Sequence, residues 1–373
     1  MGRRVLITGG AGFIGSHLAD ELLRHGYEVR ALDLLLPQIH GPEARRPAYL
    51  APEVELIKGD VRNKELVCQA LKGVDAVFHL AAMVGVGQSM YEIEKYTSTN
   101  NYGTAVLLEA LASCGGVERL VVASSMSIYG EGLCRDAAGN LHNPPQRTLE
   151  QLQGGAWELR GAKDEVLTPV PTPELKVPSL ASIYALSKYD QERMCLIFGS
   201  AYRVPVLALR LFNVYGPRQA LANPYTGVLA IFAARLLNGK PPTLFEDGRQ
   251  QRDFVSVYDV AAAGRLALEA RQTKDQVFNI GSGRRFTVYE IALSLARVLN
   301  RPDIEPEVTG TYRAGDIRHC FADISEASQQ LGYQPRIAFE QGVLELAEWL
   351  AGQSAPDNLT QAHAELRARG LTI

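Results

Sequence analysis

The sequence has little of what several function classes require. No apolar run is long enough to cross a membrane; the most apolar later stretch, Val228 to Leu237, is broken by Arg235. Arg3-Arg4 ahead of an apolar run has the outline of a secretion leader. That run stops at Thr8 and enters a glycine turn, so it reads as the first strand of a fold. Lys and Arg number 38 against 41 Asp and Glu, the net charge is -3, and no long basic run occurs. Neither nucleic acid nor a membrane is therefore an expected partner. Arg45-Arg46 and Arg284-Arg285 are isolated pairs. Cysteine is scarce as well. Cys68, Cys114, Cys134, Cys195 and Cys320 are odd in number and scattered, with no C-x-x-C pair. That predicts reduced thiols in a cytoplasmic protein, not a disulfide frame or a metal site.

What is present suits a globular chain: 46% hydrophobic and 21% charged residues over 373 positions, enough for a large core and two lobes. The first turn organises the rest. Val5-Leu6-Ile7-Thr8 reads as a buried strand, glycines follow at 9, 12 and 15, and Leu18, Leu22 and Leu23 carry helical spacing. Strand, glycine turn and helix in that order suit a dinucleotide pyrophosphate. Gly9 can take a φ that a Cβ forbids, Gly12 admits the phosphates, and Gly15 lets the helix pack closely on the strand. The phosphates then face the unpaired N–H groups of the helix start, beside Phe13 and Ile14. The next strand, Glu28 to Asp33, ends in a carboxylate that can accept ribose hydroxyls and would repel a 2′-phosphate, which favours NAD over NADP.

Strand and helix signals keep alternating, the pattern of a doubly wound parallel sheet. Val54 to Gly59 reads as a strand leading to Asp60-Val61, a carboxylate and backbone placed for an adenine. Asp75 to Ala82 is a strand running into the small-residue turn Leu80-Ala81-Ala82. Asn100 precedes a helix through Ala110, and Arg119 to Ser125 delivers hydroxyls at a strand's C-terminal end, where such sheets hold ligands. Residues 131–180 are proline-rich without a clear period. They read as an insertion, either over the sugar side of a cleft or as a surface excursion. Val206 to Leu211 and Val277 to Ile280 return to the sheet. These signals predict an α/β fold, a Rossmann-type sheet over 1–212 plus 253–283. A smaller mixed lobe covers 213–252 plus 284–345, and 346–373 form a tail in which Leu359, Ala362 and Leu366 suggest a short amphipathic helix.

Tyr184 and Lys188 lie four apart on a helix and share a face. A neighbouring ammonium should stabilise the phenolate and lower the Tyr pKa, making Tyr184 a base near neutral pH. With these residues in place the chain resembles the extended short-chain dehydrogenase/reductase family, in particular its nucleotide-sugar epimerases and dehydratases. The resemblance runs from about residue 3 to about 345, apart from the insertion. It rests on the glycine turn, His79 to Ala82, Asn100 with Gly103-Thr104, and Ser124 to Gly130. Tyr184 with Lys188, Leu211 to Pro217, Arg252-Asp253-Phe254 and Arg313 to Asp316 complete it.

The resemblance implies roles. Ser125 would hydrogen-bond the sugar C4 oxygen, Tyr184 would take its proton, and Lys188 would also bond the nicotinamide ribose. Ser124, Asn100 and the Leu80-Ala81-Ala82 turn would border the cofactor. Ser127, Asn213, Arg252, Arg313 and Asp316 would hold a dTDP- or UDP-linked sugar; arginine forks match phosphate oxygens well. Cys320, shortly after the R-x-G-D stretch, would gate sugar size. In dehydratases and decarboxylases of the family, acids follow the strand-end Ser; here those positions are Met126 and Ser127, incapable of carboxylate work. The surviving chemistry is 4-epimerisation: oxidation at C4 by held NAD and re-reduction on the opposite face. Gly87 to Tyr91 and Ser125 to Ile128, with the insertion, resemble a bacterial branch acting on dTDP-L-rhamnose more than the UDP-galactose branch. UDP-hexose, UDP-N-acetylhexosamine and UDP-hexuronate epimerases remain alternatives, as do a dehydratase, decarboxylase or reductase and, remotely, a non-catalytic NAD sensor. The family also implies a homodimer through paired helices.

Overall fold

The computed structural model describes residues 2–220, 227–271, 276–313, 315–351 and 368–371. From the start the chain runs β1 (Arg4–Thr8), α1 (Phe13–Arg24), β2 (Glu28–Asp33), α2 (Pro37–His40), β3 (Glu55–Lys58), α3 (Lys64–Leu71) and β4 (Ala76–His79). Short helices α4 (Val86–Ser89) and α5 (Ile93–Tyr96) follow, then a π-helical turn (Thr97–Tyr102), α6 (Gly103–Cys114) and β5 (Arg119–Ser125). After a 3-10 turn at Met126–Tyr129 come β6 (Cys134–Arg135), β7 (Leu141–His142), α7 (Leu149–Gln153) and β8 (Thr168–Pro169). The long helix α8 (Ile183–Tyr202) leads to β9 (Val206–Leu211) and β10 (Asn213–Tyr215). The rest comprises α9 (Val228–Leu237), β11 (Thr243–Leu244), β12 (Gln251–Arg252), β13 (Phe254–Ser256), α10 (Val257–Glu269), β14 (Val277–Ile280) and β15 (Phe286–Thr287). It ends with α11 (Val288–Val298), β16 (Glu307–Val308), β17 (His319–Cys320), α12 (Ser325–Leu331) and α13 (Phe339–Ala351).

Among the described residues seven strands form one parallel sheet in the order β3-β2-β1-β4-β5-β9-β14. Buried on both faces, its strands read as near-continuous apolar runs such as Val5-Leu6-Ile7 and Leu120-Val121-Val122. One face packs α1 and α10, around Leu18, Phe78 and Val260; the other packs α3, α6 and α8, around Val77, Leu107 and Phe198. The strand order reverses between β1 and β4, and the crevice beyond their C-terminal ends is where such sheets place ligands. A smaller lobe closes over that crevice. Its own core joins Leu229, Phe232, Leu244, Phe254, Ile291, Leu295, Phe339 and Leu346.

Two expectations change. Residues 346–351, expected in the tail, complete α13, because Phe339, Val343, Leu346, Ala347 and Leu350 repeat at helical spacing and are buried. The suggested helix around Leu359 to Leu366 lies outside the described residues. Cys68 of α3 and Cys114 at the end of α6 are bridged, against the expectation of free thiols throughout; the two helices pack side by side and bring distant positions together. Cys134, Cys195 and Cys320 are free and buried. The insertion is folded: β6 pairs antiparallel with β7 and β8 over a small core of Cys134, Leu159 and Leu167. No described helix is long and apolar enough to cross a membrane.

Candidate active site

A cavity of about 700 Å³ occupies the crevice at the strand-order reversal, walled by the glycine turn, the ends of β2 to β5, the start of α8 and the smaller lobe. Gly9, Gly12, Phe13, Ile14 and Gly15 line one end. Gly9 has φ +72°, and a Cβ on Gly15 would lie 2.3 Å from the Gly9 carbonyl oxygen, so the turn admits no larger residue at either position. Asp33 is held at the same end, accepting from the Ala11 N–H (3.0 Å) and the Leu35 N–H (2.8 Å). Asp60 and Val61 line it too. Burial pushes the Asp60 carboxyl up, but the Arg62 guanidinium, 2.6–3.1 Å away, brings it below the usual range.

Leu80, Ala81 and Ala82 form the middle of the wall with Ser124. The Ser124 hydroxyl donates to Glu192 (2.6 Å), which Arg210 grips with a two-pronged contact of 2.7 and 3.0 Å. Asn100 does not line the cavity. It is fully buried and staples the turn from behind, accepting from the Met83 N–H (2.7 Å) and donating to the Met83 carbonyl and to Ser187.

Ser125, Tyr184 and Lys188 all line the wall, with Ser125 hydrogen-bonded to Tyr184. Ser125 ends β5, and its oxygen accepts from the Ser127 N–H (3.2 Å) and hydroxyl (2.9 Å). Tyr184 opens α8, its N–H donating to Ser89 Oγ (3.0 Å) and its ring meeting the Tyr96 ring edge-on. The electrostatics differ from expectation. Burial raises the Tyr184 pKa above its ordinary value, and the opposing pull is a hydrogen bond with Ser125. The Lys188 ammonium, buried, turns to the Gln191 carbonyl oxygen at 2.6 Å, and burial pulls its own pKa down to about 8. At Tyr184 enclosure is the largest influence, and Ser125, not Lys188, is what pulls against it.

Ser127, Asn213, Arg252, Arg313 and Asp316 line the opposite end. Asn213 Oδ1 is buried there with no hydrogen-bond partner. Arg252 donates to the carbonyls of Gln251, Ile317 and Arg318, while Arg313 pairs with Asp316 (2.8 Å) and lies over the Phe245 ring. Asp316 stays ionised below the usual carboxylate range; burial works against this, but Arg313 and Arg252 prevail. Cys320 falls outside the cavity wall. It packs behind it with Met126, Tyr129 and Phe212, and burial pushes its thiol up to about 12. A gating role would have to act through Met126 and Phe212, which do line the cavity.

Several supporting residues were not anticipated. Ser89 holds the Tyr184 backbone, Tyr96 packs on the Tyr184 ring, Gln191 bonds Lys188 and Glu192 bonds Ser124; Gln191 and Glu192 stand three and four residues after Lys188, a spacing that could have flagged them. The insertion contributes Arg147, whose guanidinium bonds Glu246 (2.8 Å) and the Asp316 carbonyl (3.2 Å) and sits 3.4 Å from Glu131.

A profile of the NAD dependent epimerase/dehydratase family matches residues 5–151 and 152–281. The chain belongs to this family. It is similar to the dTDP-L-rhamnose 4-epimerase of Burkholderia thailandensis, with 36% identity over 94% of this chain and 95% of that protein. Among solved structures it resembles the Thermotoga maritima UDP-glucose 4-epimerase with UDP-glucose, at TM-score 0.76 and 30% identity over 93% of this chain and 98% of that one. The Thermus thermophilus UDP-glucose 4-epimerase complex with NAD gives TM-score 0.72 and 31% identity over 94% and 100%. Membership makes the protein an NAD-dependent enzyme, and its residues fit that cofactor: a Cβ at Gly9 or Gly15 would press on the neighbouring backbone of the turn, and Asp33 is fixed as an acceptor beside it.

Proposed function

We propose that this family member is a nucleotide-sugar 4-epimerase, and that its substrate is a dTDP-linked 6-deoxyhexose of the L-rhamnose type. One observation carries the reaction type: the described carboxylates on the cavity wall are Asp33, Asp60 and Asp316, none of them hydrogen-bonded to Ser125 or Tyr184. Asp33 and Asp60 stand at the β2 and β3 ends, and Asp316 is engaged by Arg313. Elimination of water across C5–C6 needs an acid and a base at the sugar. Met126 and Ser127 stand where they would have to be.

In this reading Ser125 orients the C4 hydroxyl and Tyr184 takes its proton, then returns it after the sugar has turned. Bound NAD supplies hydride acceptance and return at C4. Lys188 and the glycine turn hold the cofactor, while Asn213, Arg252 and Arg313 hold the diphosphate. The Asn213 oxygen, buried without a partner, is an acceptor awaiting a ligand donor. The sugar preference is supported by the relative of Burkholderia thailandensis and by the wall near Tyr184. Val84, Val86, Met126 and Phe212 line it, a surface suited to a C6 methyl and poorly suited to a C6 carboxylate.

The test offers dTDP- and UDP-sugars to the purified protein and follows products by NMR and nicotinamide absorbance. Interconversion of C4 epimers without net NADH formation is expected, fastest with the dTDP-6-deoxyhexose; steady NADH accumulation or loss of water from the sugar would sink the assignment. Tyr184→Phe should lower turnover by about a hundredfold or more, the size of a lost general base, while NAD stays bound.

A further inference from the structure

Behind the catalytic helix runs a buried polar chain that the reaction as described does not use. Lys188 Nζ donates to Gln191 Oε1 at 2.6 Å. The Gln191 amide nitrogen lies 2.9 Å from Thr104 Oγ1 and 3.2 Å from His79 Nε2. His79 Nδ1 lies 2.8 Å from Thr8 Oγ1, at the end of β1, and all of these side chains are buried.

The donors and acceptors fit in one arrangement. The Thr104 hydroxyl donates to the Asn100 carbonyl (2.5 Å), so its oxygen is left to accept. His79 Nε2 lies 2.8 Å from that oxygen, so the ring donates its Nε2–H to it and its Nδ1 accepts from the Thr8 hydroxyl. Gln191 then donates to Thr104 Oγ1 at 2.9 Å and reaches the Ala81 carbonyl at 3.4 Å. A flipped amide would set its oxygen against those two acceptors and its N–H groups against an ammonium, which is doubly repulsive. Burial supports the neutral ring, holding the His79 pKa down to about 3.

We propose that Gln191 is a positioning residue: its amide, locked by the Ala81 carbonyl and by Thr104, which neutral His79 holds in turn, presents its carbonyl oxygen to Lys188 and holds that side chain as an aimed ammonium. The proposal rests on the role given to Lys188 above. An ammonium has three donors; Gln191 takes one, leaving two for a ligand. The titratable or charged groups facing Lys188 are Tyr184, Glu192 and Cys195 of α8 and His79 of β4, with Arg210 of β9 behind Glu192; β5 and α6 contribute hydroxyls. Glu192 is paired with Arg210, Cys195 is pushed up to about 12, and Tyr184 lies above its ordinary value. The Lys188 Cε resonance reports that ammonium alone, so an alkaline limb that moves with it belongs to Lys188.

Two readouts test this on the NAD-loaded protein: kcat/KM against pH, and 13C NMR titration of the Lys188 Cε resonance, assigned with Lys188→Arg. In the unsubstituted protein both should report a transition near 8. Gln191→Met removes the acceptor and should move both down by about one pH unit, the size of a charge-assisted hydrogen bond. Gln191→Glu keeps an acceptor and should place both at or above the original value. A Gln191→Met protein that binds NAD with its transitions in place overturns the proposal. If that variant does not fold, Gln191→Glu decides alone: a downward shift overturns, an unchanged or raised value supports. Should the unsubstituted protein epimerise no sugar at all, the functional reading fails, and the NMR shift still decides whether Gln191 governs Lys188.

Discussion

A histidine that a fold keeps neutral weakens that fold in acid, and His17 is such a residue. It sits in α1, bonded through Nε2 to the Pro217 carbonyl (3.1 Å), with the Phe13 and Tyr258 rings edge-on to it. Burial, then Arg218, pulls its pKa down to about 4 from 6.5. The unfolded chain binds a proton at 6.5 that the folded chain refuses, so the stabilisation is whole above 6.5 and drains as pH falls toward 4. Against a His17→Gln variant, which keeps a donor for Pro217, the unfolding free-energy difference should shift by about 2 kcal/mol against the native protein between pH 7 and pH 5. Denaturant melts of both proteins at the two pH values measure it; parallel losses would mean that the ring is protonated in the fold. The residue scale also shows what a motif conveys. Tyr184, Lys188 and Ser125 were legible because strand end and helix start fix their mutual placement. Asn100 and Cys320 were expected beside the cofactor and the sugar, yet neither lines the cavity. A motif gives position along an element, whereas burial on one side or the other is decided by packing from elements far away in the chain.

The insertion shows the same limit among elements. Its strands are two residues long, too short for any period to show, and its fold depends on pairings made across the chain. Arg147, buried with Glu131 and Glu246, is the joint. Arg318 and His319 extend it: Arg318 bonds Glu158, Glu246 and Asp247, and His319 bonds Glu158 at 2.9 Å. The segment that carries Asp316 and Ile317, and through Ile317 and Arg318 the guanidinium of Arg252, is thereby fastened to the insertion. Arg147→Met should leave Glu131 with only the backbone N–H groups of Arg318 and His319, and Glu246 with Arg318 as its remaining guanidinium, at a cost of about 3 kcal/mol and a lower melting temperature. If the variant remains folded at low temperature, KM for the nucleotide sugar should rise severalfold while NAD retention stays unchanged. Equal KM values would reduce the network to a strut with no bearing on the substrate grip.

At the scale of the whole molecule, the parallel, doubly wound sheet was the most legible property, since each parallel pair needs a helical crossover and the sequence signals alternate accordingly. How the molecule meets a second copy of itself is less visible, but α8 bears on it. Its inner face carries Tyr184, Lys188 and Gln191, and its outer face leaves Leu186 43% and Ile197 61% exposed. These two stand eleven positions apart, about three helical turns, so they share one face. Tyr102, beside the start of α6, and Tyr202, at the end of α8, are exposed too. Apolar groups left in water along a helix that packs on α6 are what an isologous pairing of the two helices would bury. We propose a homodimer formed there. Light scattering should then give about twice the 40.7 kDa chain mass, and Ile197→Glu should return the mass to that of one chain, because a carboxylate desolvated at the centre of the pairing has no partner. A native protein already at the single-chain mass across micromolar concentrations would leave these side chains exposed for another reason and remove the pairing. If the dimer forms, it clamps α8 from outside while the polar chain through Gln191 secures it from within, so the variant's turnover measures how far the catalytic face depends on that outer support.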